Sequence, residues 1–266
     1  MNTVRRPSRD AALESRLSTL LNGARLGLPV HAYDTLGSTM EEAHRLAQTH
    51  AAEGTLVVAA RQEQGRGRLG RAWISPDGGA YLSLILRPKR PTAAPQLSLV
   101  AGLAVAETLR DVADLYPSIH WPNDVLLNDR KVCGILVEAR GRFPRPVSHV
   151  ILGVGVNVTT DPAQLPAGST SLAASGAAHC SQEDVVAGLC RRFAAWYDRW
   201  THDGFGPIRE TLRPWMGLFG RPVRIASGAH RYEGVASDLD ESGRLLVRLD
   251  SGLPRAFDMG EVTLVR

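Results

Sequence analysis

Cysteine is scarce in this sequence: the 266 residues hold three, Cys133, Cys180 and Cys190. None forms a C-x-x-C pair, and an odd, scattered set argues against a disulfide framework or a zinc site and for a reducing compartment. The eight histidines are dispersed as well, and without an H-E-x-x-H pattern no protein-built metal site is expected. No run approaches the ~20 apolar residues of a membrane span. The arginines at the start of the chain, Arg5, Arg6 and Arg9, are followed by no apolar stretch, so no signal peptide is read there. These absences give the expectation of a cytoplasmic chain without a membrane partner. There is no G-x-x-x-x-G-K-[ST] loop, no internal repeat, and no evident Ser-His-Asp set or activated cysteine for covalent catalysis. A net charge of +4 and a pI near 9.2 fit small anions or an acidic partner. That imbalance is too weak to argue for nucleic acid.

What is present is concentrated in residues 62–73, Gln-Glu-Gln-Gly-Arg-Gly-Arg-Leu-Gly-Arg-Ala-Trp. Glycine lets a backbone approach a ligand closely, and arginine adds a planar, permanently charged fork suited to carboxylate and phosphate oxygens. Such a loop can wrap an anion. It can equally be a sequence-independent nucleic-acid contact or a solvated surface loop. The β-rich run 55–60 precedes it, which places it at a strand end.

In a chain 44% hydrophobic and 22% charged, one large or two smaller domains can be built. A basic arm and a short amphipathic helix at 11–21 come first, then a strand at 30–33. Ser38 and Glu41 have the spacing of a capping box opening a helix that runs to about residue 52. A strand at 80–86, a helix at 95–113 and a hairpin of the runs 119–127 and 131–138 follow. Pro122 puts a bulge or strand edge into that hairpin. A third strong strand covers 147–158 and contains Gly-Val-Gly-Val-Asn at 153–157. With no third glycine and no following helix, it is no dinucleotide fingerprint. Ser181 caps a helix whose Val185, Leu189, Phe193, Trp196 and Trp200 form one apolar stripe. Beyond 215, five short strands separated by turn signals suggest a small β-barrel. Strand ends of one sheet would bring Arg66, Arg68 and Lys131 to one anion, with Asn123, Asp124 and Asn157 nearby, a set suited to phosphoryl or adenylyl groups.

Three segments, Gly65 to Trp73, Trp121-Pro122-Asn123-Asp124 with Lys131 seven residues on, and Gly153-Val154-Gly155-Val156-Asn157, stand in an order that strongly resembles biotin–protein ligases. The resemblance spans roughly residues 30–265. It implies an α+β fold: a mixed β-sheet with packed helices, the class II synthetase-like catalytic domain, followed by a small SH3-like β-barrel. The division it suggests is 1–28 (arm and short helix), 29–214 (catalytic) and 215–266 (barrel). The implied reaction joins biotin and ATP as biotinyl-5'-AMP and transfers biotin to a lysine of a biotin carboxyl carrier protein. Mg2+ is expected only with the ATP phosphates. By resemblance Ser38, Thr39, Gln62 and the main chain of Gly65 and Arg66 hold the ureido ring. Arg66, Arg68 and Lys131 act on carboxylate and phosphate, with Lys131 the leading catalytic candidate. Gly67, Asn123, Asp124 and Gly134 complete the ligand site, Trp73 closes over the adenylate, and Asn157 lies on the adenine side. The chain departs from the family in Met40, where asparagine is frequent, and in His120, where lysine is frequent. The resemblance also implies a monofunctional ligase without specific DNA binding, and a possible homodimer. Lipoate and octanoate ligases share the fold and are the nearest alternative. A nucleic-acid module and a catalytically silent adaptor belong to other classes.

Overall fold

The computed structural model describes residues 8–141, 147–228, 230–258 and 260–265; residues 1–7 of the basic arm lie outside this set. Asp10 opens α1 (Ala11–Leu20) by accepting from Leu13 N at 2.8 Å, which satisfies one of the free amides of a helix start. Leu13, Leu17 and Leu21 carry that helix into the main core. The chain continues through β1 (Val30–Leu36), α2 (Thr39–Gln48), β2 (Leu56–Gln62), β3 (Gly79–Leu86) and α3 (Gln96–Ala113). Then come β4 (Ser118–His120), β5 (Asp124–Leu127), β6 (Arg130–Gly141), β7 (Val147–Asn157), α4 (Gln182–Asp203) and α5 (Gly206–Leu212).

These seven strands form one mixed sheet in the order β1-β2-β3-β7-β6-β5-β4, parallel between β1 and β2 and antiparallel elsewhere. Strand alternation divides its side chains. On one face Leu82 and Leu84 of β3, Val150, Leu152 and Val154 of β7, and Ile135 of β6 join α3 and α4 in the main core. On the other, Val57, Ala59, Ile85 and Ile151 pack under Met40, Ala43 and Ala47 of α2. Val185, Leu189, Phe193 and Trp200 of the α4 stripe are buried and Trp196 is partly buried against them, with Phe193 fully inaccessible and stacked on Tyr197. Phe193→Ala is expected to cost about 3–5 kcal/mol, read as a lowered urea midpoint. A loss under 1 kcal/mol would mean that this stripe does not hold the sheet's main core together.

Two local expectations need correction. The run 119–127 is not one hairpin arm: β4 and β5 pair with each other, Ser118 opposite Leu126, across a turn at Trp121-Pro122-Asn123. Proline offers no amide to a ladder, so the chain doubles back there. The helix beginning at Thr39 stops at Gln48, short of residue 52, and His50 takes a left-handed φ of 66°.

The second unit is a five-stranded antiparallel sheet of β8 (Pro222–Ser227), β9 (His230–Leu239), β10 (Leu245–Leu249), β11 (Pro254–Phe257) and β12 (Glu261–Leu264). Its order is β11-β10-β9-β8-β12, consistent with an SH3-like fold. No β11–β12 pairing closes it into a barrel among the described residues. It is tied to the first sheet by Trp121, whose indole N–H donates to Gly243 O at 3.0 Å, and by His120, whose Nε2 lies 3.0 Å from Val262 O. Among the described residues no helix is long and apolar enough to cross a membrane.

Candidate active site

The two glycine-rich segments and the 121–131 turn meet over the sheet face that carries α2. Residues 62–75 leave β2 as a narrow excursion. Gln62 N donates to Ser75 O, Trp73 N to Gly65 O and Gly67 N to Arg71 O, at 3.2, 2.9 and 2.7 Å. The return requires glycine at one point above all, because a Cβ on Gly65 would sit 2.3 Å from Trp73 O. At the tip Leu69 and Gly70 both have positive φ, and Leu69 is exposed.

Beneath this loop the sheet is bare. Gly134 and Gly155 face each other across β6 and β7, and the Trp73 indole lies on them. A Cβ would meet that ring at 2.8 Å from Gly134 and 2.4 Å from Gly155, and Met40 Sδ at 2.8 Å from Gly153. The alternate glycines of Gly-Val-Gly-Val-Asn are thus a floor, while the valines between them point into the core. Over the floor is a cavity of about 350 Å³.

One wall of the cavity is neutral and polar. Gln62 Oε1 accepts from Thr39 N at 2.8 Å and from Thr39 Oγ1 at 3.0 Å, and Gln62 Nε2 donates to Ser75 Oγ at 2.9 Å. A backbone N–H can only donate, so this pairing fixes the amide's orientation. Ser38 precedes α2 but makes no side-chain cap bond. The expected capping box does not form, because Glu41 is engaged by Arg66 and Arg140, and charged partners outcompete a single amide. Ser38 Oγ is left buried in the cavity wall without a hydrogen-bond partner among the described residues, as is Trp73 Nε1. Buried polar atoms are ordinarily paired, so Ser38 Oγ marks where a polar ligand would be received, while Trp73 Nε1 is packed against Gly155.

The opposite wall is charged. Arg68 donates to Asn123 Oδ1 at 2.9 Å, and burial draws its pKa down against the pull of Asp124. Lys131 Nζ sits 2.7 Å from Asp124 Oδ1 and 5.3 Å from the Trp73 ring centre. Arg66 reaches away, onto Glu41 and Glu138. Ser38, Thr39, Gln62, Arg66, Gly67, Arg68, Trp73, Asn123, Asp124, Lys131 and Gly134 all border the cavity, and Gly65 and Asn157 do not. Asn157 is buried, its Nδ2 donating to Thr170 O at 2.9 Å. It pins the 159–170 segment, whose Gly168 O accepts from Lys131 N at 2.8 Å. Sequence reasoning missed Gly260, Val262 and Thr263, which border the cavity from the second sheet. Only the lysine-to-histidine departure at His120 marked the place where that sheet touches the first. Glu261 is a further candidate from sequence, but its side chain lies outside the described residues.

Behind the α2 wall His44 and His149 are both buried, with Nδ1 and Nε2 2.9 Å apart. Burial first, then the neighbouring His44, Arg87 and Arg140 charges, lower the His149 pKa to about 4. An unfolded histidine gains its proton near pH 6.5. Between those values the unfolded chain binds the extra proton, so stability falls as pH drops from 6.5 to 4 and is fully present above 6.5. The loss from His149 reaches about 3 kcal/mol. Urea midpoints at pH 7 and pH 4.5 should therefore converge in His149→Gln relative to the parent; an identical pH slope in both would refute the assignment.

Residues 34–157 match the sequence model of the Biotin/lipoate A/B protein ligase family, and residues 218–265 match that of the Biotin protein ligase C terminal domain. The chain is 34% identical over 250 residues to the bifunctional ligase/repressor BirA of Bacillus subtilis, covering 92% of this chain and 77% of that one. It is 37% identical over 226 residues to the biotin--[acetyl-CoA-carboxylase] ligase of Paracoccus denitrificans, covering 81% and 92%. Among solved structures it is similar to the biotin protein ligase from Aquifex aeolicus in complex with biotin and ATP. That likeness has a TM-score of 0.77 and 29% identity over 89% of this chain and 98% of that one.

Proposed function

The chain belongs to the biotin/lipoate A/B protein ligase family, and from that premise we infer that it is an ATP-dependent biotin–protein ligase. The biotin carboxylate attacks the α-phosphate of ATP, forming biotinyl-5'-AMP and releasing pyrophosphate. A lysine ε-amine of the acceptor protein then attacks the adenylate's carbonyl, AMP leaves, and an amide remains. The acceptor we propose is a biotin carboxyl carrier protein domain of an acyl-CoA carboxylase, after the name of the Paracoccus relative.

The observation that carries this reading is the division of one cavity between a neutral polar wall and a cationic one. The open hydroxyl of Ser38, with Thr39 and Gln62, suits a neutral urea-like ring that both donates and accepts. Arg68 and Lys131, across the glycine floor, suit two anions that must be brought into contact. Cations offset the repulsion between carboxylate and triphosphate and favour the extra charge on the pentacoordinate phosphorus. Lys131 is the group we assign to that charge, and Arg68, steadied by Asn123, is the clamp on the adenylate phosphate. Trp73 shields the acyl chain from water. Asn157 acts indirectly, by holding the segment that brackets Lys131. Strand β12 borders the cavity, so the 215–266 unit is proposed as part of the nucleotide side of the site.

Among the described residues no group of three or more His, Cys, Asp or Glu could hold a metal ion. Magnesium is proposed to arrive with the triphosphate of ATP, with Asp124 the cavity carboxylate placed to meet it. It would neutralise phosphate charge there.

The test is exchange of labelled pyrophosphate into ATP by the purified chain, with biotin and lipoate run in parallel. Exchange with biotin alone is expected. Exchange with lipoate alone would transfer the assignment to lipoate, and silence with both in a folded sample would overturn adenylate formation.

A further inference from the structure

Arg66 stands in the ligand loop, yet its charge is already matched. One guanidinium nitrogen contacts Glu41 of α2 and another Glu138 of β6, while Arg140 also reaches Glu41 at 3.0 Å and Glu138 at 3.5 Å. The quartet holds two positive and two negative groups. It leaves no surplus cation for a ligand. Arg66 is thus placed to fasten the loop.

Behind Glu138 runs a chain of side-chain hydrogen bonds through two buried histidines. Glu138 Oε2 lies 3.0 Å from His44 Nε2, and the hydrogen bond from His44 holds the Glu138 pKa below its usual range. An ionised carboxylate only accepts, so His44 Nε2 carries a proton. In the neutral ring His44 Nδ1 then accepts from His149 Nε2, 2.9 Å away. Ser148 Oγ lies 2.8 Å from His149 Nδ1 and also donates to Arg140 O at 3.3 Å. Protonation of both rings would put two N–H groups face to face, and the depressed His149 pKa agrees with its neutral form. The charged groups around the pair are Glu138 and Arg140 on β6, Arg66 in the loop, and Arg87 just past β3.

We propose that Glu138, seated by His44 and His149, is a positioning residue that holds Arg66 and thereby fixes the first limb of the ligand loop over the glycine floor. Three elements contribute to it, α2, β6 and β7, so the loop's placement is set by the body of the fold and not by its own glycine-rich backbone. Another side-chain tie from the loop is Arg68 to Asn123. Arg66 and Arg68 therefore divide the work: one fastens the loop, the other remains for the adenylate. The proposal's kinetic arm rests on the ligase reading above; its structural arm does not.

The experiment is amide hydrogen exchange of the 63–73 segment in the empty protein, followed by dissociation of preformed biotinyl-adenylate. Glu138→Gln keeps the shape and removes the charge. It is expected to speed exchange in this segment about tenfold, and adenylate release by a similar factor, since a charge-assisted pair is lost. In an Arg66→Gln background the same substitution should add nothing, because residues acting through one contact are not additive. His149→Leu, which orphans His44 Nδ1, should reproduce the loosening, and His149→Gln, which restores an N–H donor, should largely cancel it. Additive effects in the Arg66→Gln background would overturn the proposal. So would a Glu138→Gln variant that melts earlier but exchanges and releases adenylate like the parent. Absence of biotin-dependent pyrophosphate exchange in the parent would count against the ligase reading, while loop exchange in the variants still decides the role of Glu138.

Discussion

Replacing Lys131 by alanine is expected to slow biotin-dependent pyrophosphate exchange by about 10²–10³-fold, the usual effect of removing one preorganised donor from developing charge. Lys131 Nζ rests between Asp124 and the Trp73 ring, and its own amide is bonded to Gly168 O. Its backbone therefore stays placed when the side chain is removed. A group that acts on the transition state lowers kcat more than it raises KM for biotin, so biotin binding should change by no more than about threefold. Alanine also strips Asp124 of its cation and leaves a lone carboxylate facing the phosphates. The double variant Lys131→Ala/Asp124→Asn separates the two effects: if repulsion from Asp124 were the whole cause, it would recover parental rates. Lys131→Arg keeps a positive charge but not the compact ammonium, so partial recovery is expected. A loss under tenfold in Lys131→Ala would remove Lys131 from the reaction.

The parts of this site that were legible in the sequence are those written in adjacent residues. Gly65 to Trp73 announces a close-approaching loop with cations, although composition alone leaves a nucleic-acid contact or a solvated loop equally open. Gly153-Val154-Gly155 announces a strand with one bare face, since alternation assigns glycines and valines to opposite sides. Ser38 shows the limit of such reading. Its spacing to Glu41 satisfies the capping pattern, but the pattern has no knowledge of Arg66 and Arg140, which arrive from β2's loop and β6 and take the carboxylate. The break at Pro122 was foreseen as a bulge. That the chain would reverse completely depends on β5 pairing with both β4 and β6, a long-range choice. The pairing of His44 with His149 spans 105 positions, and the contact of His120 with Val262 spans 142. Nothing local distinguishes His44 and His149 from the other histidines, and the departure at His120 does not name its partner. The second sheet's part in lining the cavity was hidden for the same reason.

Arg68→Gly should produce an enzyme that still makes biotinyl-adenylate and no longer keeps it. The Arg68 guanidinium is half-buried and takes its orientation from Asn123, whose Nδ2 donates in turn to Ile135 O at 3.0 Å. A preoriented guanidinium on a phosphate contributes about 2–3 kcal/mol, so release of the adenylate should accelerate by roughly 30–150-fold. Free adenylate acylates any exposed amine it meets. Bystander proteins mixed with the variant, biotin and ATP should therefore acquire biotin on many lysines, at a rate set by adenylate output and not by docking. Glycine at this point also adds backbone freedom beside Gly67, worth up to about 1 kcal/mol. Arg68→Ala removes the side chain alone, and it should retain most of the effect if the guanidinium is the clamp. Stopped-flow dissociation of preformed adenylate measures the rate directly, and blotting of a bystander protein reads its consequence. If both variants released adenylate at the parental rate, the clamp would have to be sought elsewhere, with Trp73 the next residue to test.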